Sequence, residues 1–151
     1  MKHSIRIFTF LLFLLLHPVV KAQHPVNWSF SSKKVGDKLY EVHLTAEVEE
    51  PWHIYSQFSP PGGALPTSIT INKNPLVLLQ GGIKEHGKLN KKFEEVFGME
   101  VKYFEGSVTF IQLVRLRATV KTNLSGNLEF MVCNDRECLP PKTVPFSIPL
   151  L

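Results

Sequence analysis

From Tyr40 to Glu49 the chain alternates without a break. Tyr40, Val42, Leu44, Ala46 and Val48 are apolar, and Glu41, His43, Thr45, Glu47 and Glu49 are polar. A repeat of two puts one set of side chains on each face of a strand, so this segment reads as a strand with one buried face. Val26 to Lys33 reads as a strand before it, with a turn at Val35-Gly36-Asp37-Lys38. Thr67 to Asn72, with Ile69 and Ile71 inward, and Leu76 to Gln80 read as further short strands. Val108 to Ala118 is the longest run. Its Val108, Phe110, Val114, Leu116 and Ala118 share one face, and Ile111 and Leu113 on the other suggest a central strand covered on both sides. Leu128 to Cys133 and Lys142 to Ile148 complete the set. Pro60-Pro61-Gly62-Gly63, Gly81-Gly82, Ser125-Gly126 and Pro140-Pro141 read as turns between strands. A helical turn is expected only at Leu89 to Phe97. Short strands with this punctuation predict an all-β fold, an immunoglobulin-like antiparallel β-sandwich.

The first 22 residues stand outside that fold. Lys2 and Arg6 precede the apolar run Ile7 to Leu16, and Val20-Lys21-Ala22 offers a small residue for cleavage, the layout of a secretory signal peptide. The run is too short for a spanning helix, which needs about 20 apolar residues. Residues 23–151 then form one domain, long enough to bury a core without disulfide staples. The formal charge of the whole chain is +4. Lys2, Arg6 and Lys21 fall in the leader with no acidic residue beside them, so the remainder carries +1. The basic balance thus belongs to targeting and gives no reason to expect nucleic-acid binding.

Export leads to an oxidising compartment, where disulfides persist. The two cysteines, Cys133 and Cys138, lie in Phe130-Met131-Val132-Cys133-Asn134-Asp135-Arg136-Glu137-Cys138-Leu139-Pro140-Pro141. Leu128, Phe130 and Val132 share one strand face, so Cys133 points away from the main core, which would leave its sulfur accessible for thiol exchange. Asn134 and Asp135 favour a turn that brings the cysteines together. A bond over so short a loop constrains the unfolded chain by only about 2 kcal/mol. Two readings stay open on these residues: an exchange-active pair, or a structural staple in a non-catalytic binding module. No helix start is present to activate a thiolate, and Asp135 and Glu137 disfavour one, with Arg136 opposing them. A zinc site would need two further ligands that no motif supplies, so no metal and no cofactor is expected, and a small exported metal carrier ranks last. His53 has no acidic partner in view. Asn27-Trp28-Ser29 and Asn123-Leu124-Ser125 match glycosylation sequons, relevant only in a eukaryotic secretory pathway.

The segment Val132 to Pro141, followed by Val144-Pro145-Phe146, resembles the active-site hairpin of the N-terminal periplasmic domain of DsbD, a bacterial thiol:disulfide interchange protein. Trp52-His53-Ile54-Tyr55-Ser56 with Pro60-Pro61-Gly62 and Pro66-Thr67 is similar to a second stretch of that domain. Phe93-Glu94-Glu95-Val96-Phe97-Gly98 is similar to a third. The resemblance covers most of residues 27–150. It implies an immunoglobulin-like sandwich in the periplasm that relays electrons from a membrane donor to thioredoxin-like partners, in the service of processes such as cytochrome maturation, and that acts as a monomer. It implies that Cys138 makes the mixed disulfide with the partner and that Cys133 resolves it. It places Val96 and Phe97 in a loop capping the site, and makes Trp52, Tyr55, Asp135 and Glu95 candidates to line it. The spacing between the cysteines is one residue shorter here than in the best-known members. The transmembrane and thioredoxin-like domains that recharge the hairpin there have no counterpart in these 151 residues, which leaves the electron donor open. Whether the exchange counts as enzymatic in its own right, as part of a protein-disulfide reductase, is open too.

Overall fold

The computed structural model describes residues 24–95 and 97–150. The expected leader and Val96 lie outside the described residues. Nine strands and no helix make up the described chain. They are β1 (Val26–Gly36), β2 (Leu39–Val48), β3 (His53–Tyr55), β4 (Ser68–Ile71), β5 (Val77–Glu94), β6 (Met99–Leu116), β7 (Thr122–Phe130), β8 (Val132–Cys133) and β9 (Lys142–Leu150). The larger sheet runs β1-β2-β6-β3-β8, with β5 also pairing β6; the smaller runs β4-β7-β9. All pairings are antiparallel. The fold is thus an all-β, immunoglobulin-like antiparallel sandwich.

The alternation explains the core. Tyr40, Val42, Leu44, Ala46 and Val48 are all buried, as are Val108, Phe110, Val114 and Leu116 on β6. Against them the smaller sheet turns Leu124, Leu128, Phe130, Phe146, Ile148 and Leu150. The first strand ties the layers together. Trp28 packs at 5.9 Å from Phe110 and 5.4 Å from Phe130, and Phe30 at 5.8 Å from Phe146. Such aromatic pairs add to area burial by about 0.5–1.5 kcal/mol each. Pro145 and Pro149 are tolerated because β9 is an edge strand.

Four expectations need correction. Gly81-Gly82 is not a turn but part of a bulge, where the β5–β6 register shifts between Gln80 and Lys84. Leu89 to Glu94 is not a helical turn but the end of β5, and a tight turn closed by the Phe97 and Gly98 N–H groups donating to the Glu94 carbonyl leads into β6. Pairing with β6 supplies backbone partners that an isolated turn would lack, and that outweighs the helix-like spacing of Leu89, Phe93 and Phe97. Ser125-Gly126 lies inside β7, not between strands. There a side chain on Gly126 would run into the Thr70 carbonyl and come within 2.7 Å of Phe146, so glycine serves close strand approach rather than chain reversal. Finally, β6 ends at Leu116, and Ala118 lies beyond it.

Candidate functional site

The larger sheet has two apolar faces at its β3–β8 end. Ile54, Phe104 and Val132 point into the sandwich. The residues between them point the other way, and Cys133, Tyr55 and Val101 join Ala64 in a second, smaller cluster. Met99, Tyr103, Phe97 and Met131 pack around it. Cys133 therefore does face away from the main core, as its strand parity requires. It is not accessible, however: only 2% of the residue is exposed, because the outer face is itself covered.

The cover is built by the loop after β3. Ser56 N–H donates to the Lys102 carbonyl at 2.9 Å, and the Thr67 hydroxyl donates to the Tyr55 carbonyl at 2.6 Å. Those bonds fix both ends of the loop and seat Ala64 against the cluster. Gly63 lets the loop approach closely, since a side chain there would meet Met99 and Phe97 at 3.2 Å.

Cys133 and Cys138 are bonded to each other, with Cα atoms 4.0 Å apart across a tight hairpin. Asn134 shapes the turn: its side-chain oxygen accepts from the Arg136 and Glu137 N–H groups at 2.8 and 2.9 Å. The Asn134 N–H donates to the Glu137 carbonyl, and the Leu139 N–H to the Val132 carbonyl, each at 2.9 Å. This is the Asx-type turn that the Asn-Asp pair favours. Cys138, unlike Cys133, is exposed.

A cavity of about 240 Å³ opens at the disulfide, walled by Tyr55, Lys92, Glu94, Phe97, both cysteines and the hairpin turn. Lys92 crosses to the hairpin and donates to Asp135 at 3.1 Å, with Glu94 3.7 Å from the same ammonium. The Asp135 hydrogen bond, with the Glu94 charge, raises the Lys92 pKa. Because both partners are largely exposed, the pair orients the loop more than it stabilises the fold. A second cavity, about 290 Å³, adjoins the first and shares Lys92 and Asp135; His53, Trp52, Tyr103 and Glu105 line it.

Of the residues singled out from sequence, the structure brings Cys133, Cys138, Tyr55, Phe97 and Asp135 to one cavity. Trp52 instead packs against the main core and reaches only the neighbouring cavity. Glu95 is exposed in the β5–β6 turn, and Glu94 takes the place expected of it. Strand parity is the reason, since Lys92 and Glu94 share the face of β5 that looks toward the cysteines. Sequence reading passed over Lys92 and Tyr103, and set His53 aside for want of an acidic partner. His53 sits directly opposite Cys133 in the β3–β8 ladder, and its Nε2 is 3.1 Å from the Tyr55 hydroxyl. Its ring centroid lies 4.7 Å from that of Tyr103. Burial lowers the His53 pKa, with Glu94 opposing, while burial with the Glu94 charge pushes Tyr55 up to about 12. The available signal was the alternation in Trp52-His53-Ile54-Tyr55: once Ile54 is core, His53 and Tyr55 share the opposite face.

The family model described as "Thiol:disulfide interchange protein DsbD, N-terminal" matches residues 22–149. Among solved structures, the chain is similar to the Neisseria meningitidis DsbD N-terminal domain in the reduced form, at 14% identity and a TM-score of 0.56. That match covers 86% of this chain and 89% of the other. The complex between the DsbD N-terminal and PilB N-terminal domains of the same organism matches at 14% identity and a TM-score of 0.52, covering 87% and 88%. The N-terminal periplasmic domain of ScsB from Proteus mirabilis matches at 16% and 0.51, covering 83% of this chain and 44% of that one. Comparison with curated proteins returned no match.

Proposed function

This chain belongs to the DsbD N-terminal family of thiol:disulfide interchange modules, and from that premise we propose that it relays electrons in the periplasm through Cys133 and Cys138 to thioredoxin-like partners. The observation that carries the reading is the asymmetry of the pair, with Cys138 exposed on the hairpin and Cys133 buried beneath it. Exchange proceeds by in-line attack of one sulfur on another, which requires an open approach to the sulfur that meets the partner. Cys138 has that approach. Cys133 is held one bond away, where it resolves the mixed disulfide and is shielded from solvent oxidants meanwhile.

Phe97 acts as the described part of a cap, and Tyr55, Asp135 and Glu94 line the site. A membrane protein supplies the electrons, the first 22 residues direct export, and the domain works as a monomer. The solved complex of a similar DsbD N-terminal domain with a PilB N-terminal domain supports a protein partner. Trapping tests the proposal. Cys133→Ala should leave Cys138 bound to an oxidised thioredoxin-like protein in a stable mixed disulfide, seen on a non-reducing gel, whereas Cys138→Ala should trap none. If neither variant forms an adduct under any redox condition, the relay is excluded and the disulfide is a staple.

A further inference from the structure

For a buried thiol to act as the resolving nucleophile it must first lose its proton, because the thiolate is the reactive form. Solvent cannot take that proton directly, since Cys133 is 2% exposed. The groups around it narrow the choice. Glu94 and Asp135 wall the same cavity, but a carboxylate is a far weaker base than a thiolate and takes its proton poorly, and while ionised it opposes a thiolate forming beside it. Lys92 is held by Asp135 at 3.1 Å and is already a cation. One neutral nitrogen base is left near Cys133: His53, its ladder partner. Directly opposed residues of an antiparallel pair have side chains on the same face, with Cβ atoms about 4.5–5.5 Å apart.

We propose that His53 is the proton acceptor for Cys133, reached through the Tyr55 hydroxyl. Tyr55 shares the cavity of Cys133, while His53 lines the adjoining one, and the two are joined by the 3.1 Å contact between Tyr55 Oη and His53 Nε2. Tyr55 thus stands between the two cavities. As it takes a proton from the Cys133 sulfur it gives its own to Nε2, so no tyrosinate accumulates. The Cys133 thiolate then attacks Cys138 Sγ. The Cys133–Cys138 bond forms, the bond from Cys138 to the partner's sulfur breaks, and the partner leaves as a thiolate that takes a proton from water. The dithiol is oxidised by two electrons and the partner's disulfide is reduced. His53 returns its proton to solvent through the second cavity. When electrons flow the other way, protonated His53 supplies the proton to Cys133 as it leaves.

The ring is set for this exchange. Facing it are Tyr103 and Glu105 from β6, Lys92 and Glu94 from β5, Asp135 from the hairpin, Glu50 at the cavity wall and Tyr55 on its own strand. Burial lowers the imidazole pKa most strongly, so the ring is neutral and ready to accept at neutral pH. The inference rests on the exchange reading above, and one experiment separates the two.

Reduced protein is mixed with 5,5′-dithiobis(2-nitrobenzoate). The first release of thionitrobenzoate reports attack by Cys138, and the second reports resolution by Cys133. The wild type should show both phases, and the second should slow as pH falls from about 8 to about 5, the window in which imidazole titrates. In His53→Gln the first phase should persist, while the second should slow on the order of 10²-fold at neutral pH and follow the thiolate fraction alone, without the imidazole inflection of the wild type. Imidazole added to His53→Ala should restore the second phase, which a packing role would not predict. Should His53→Gln fail to fold, Tyr55→Phe removes only the hydroxyl and should give the same slowing. An unchanged rate and pH profile in His53→Gln, or in Tyr55→Phe where that variant stands in, overturns the proton relay. A wild type without a second phase overturns the exchange reading itself.

Discussion

Cys133 and Cys138 face each other across a single turn, yet Cys133 is buried beneath Tyr55 and Phe97 while Cys138 stands in solvent. Two sulfurs in one bond thus have opposite access. That difference comes from strand β8, whose parity turns Cys133 toward a covered face, and from the turn after it, which carries Cys138 to the rim.

Reducing the bond should leave the domain folded. The loop it closes is short, so its removal costs about 2 kcal/mol of unfolded-state entropy. The Asn134 turn and both apolar clusters persist without it. Thermal unfolding with and without reductant should show one cooperative transition in each case, with a loss of about 10 °C or less. Collapse of the transition on reduction would identify a staple instead.

Phe97, itself half-buried, lines the cavity at the disulfide and packs against the Cys133 cluster, the placement that the proposed cap requires. A sulfur–aromatic contact holds such a cover by only about 0.3–1.5 kcal/mol, weak enough to open for a partner. Phe97→Ala should speed oxidation of the reduced protein by glutathione disulfide several-fold, with melting little changed. An unchanged oxidation rate would remove Phe97 from the cap.

Stability should depend on pH through His53 and Tyr55. An unfolded histidine binds its proton at about pH 6.5, whereas burial makes the folded His53 bind it only at lower pH. Below that value the unfolded chain holds more protons, so stability falls as pH drops from about 6.5 through the folded pKa. Tyr55 acts at the other end. Its pKa is about 12 in the folded chain and about 10 unfolded, so stability falls as pH rises between these values. Urea titrations at several pH values should show the acid loss in the wild type and a smaller one in His53→Gln. His24, also lowered by burial and by Lys142, supplies part of what remains. Equal acid loss in both proteins would contradict the assignment.

Gly126→Ala should destabilise the domain by more than about 2 kcal/mol, because the added methyl meets the β4 backbone and Phe146 with no flexible side-chain end to yield alone. Chemical denaturation measures it. A loss under about 0.5 kcal/mol would show that β4 and β7 can separate at little cost.

The alternation of Tyr40 to Val48 and of Val108 to Leu116 determined the strand class and the buried face of each strand, and the Asn134-Asp135 pair determined the hairpin that closes the disulfide. Both are local properties: a period of two, and a side chain bonding its own backbone. Parity also determined that Cys133 turns from the main core. It did not reveal what lies on the other side. Ala64, Phe97, Met99 and Tyr103 come to Cys133 from distant points in the chain, and only tertiary packing makes them its cover. For the same reason Leu89 to Glu94 became strand once β6 paired with it, Gly126 proved to be a contact rather than a turn, and Glu94 rather than Glu95 reached the site. Sequence period assigns residues to faces, and long-range pairing decides which faces meet and which sulfur remains open.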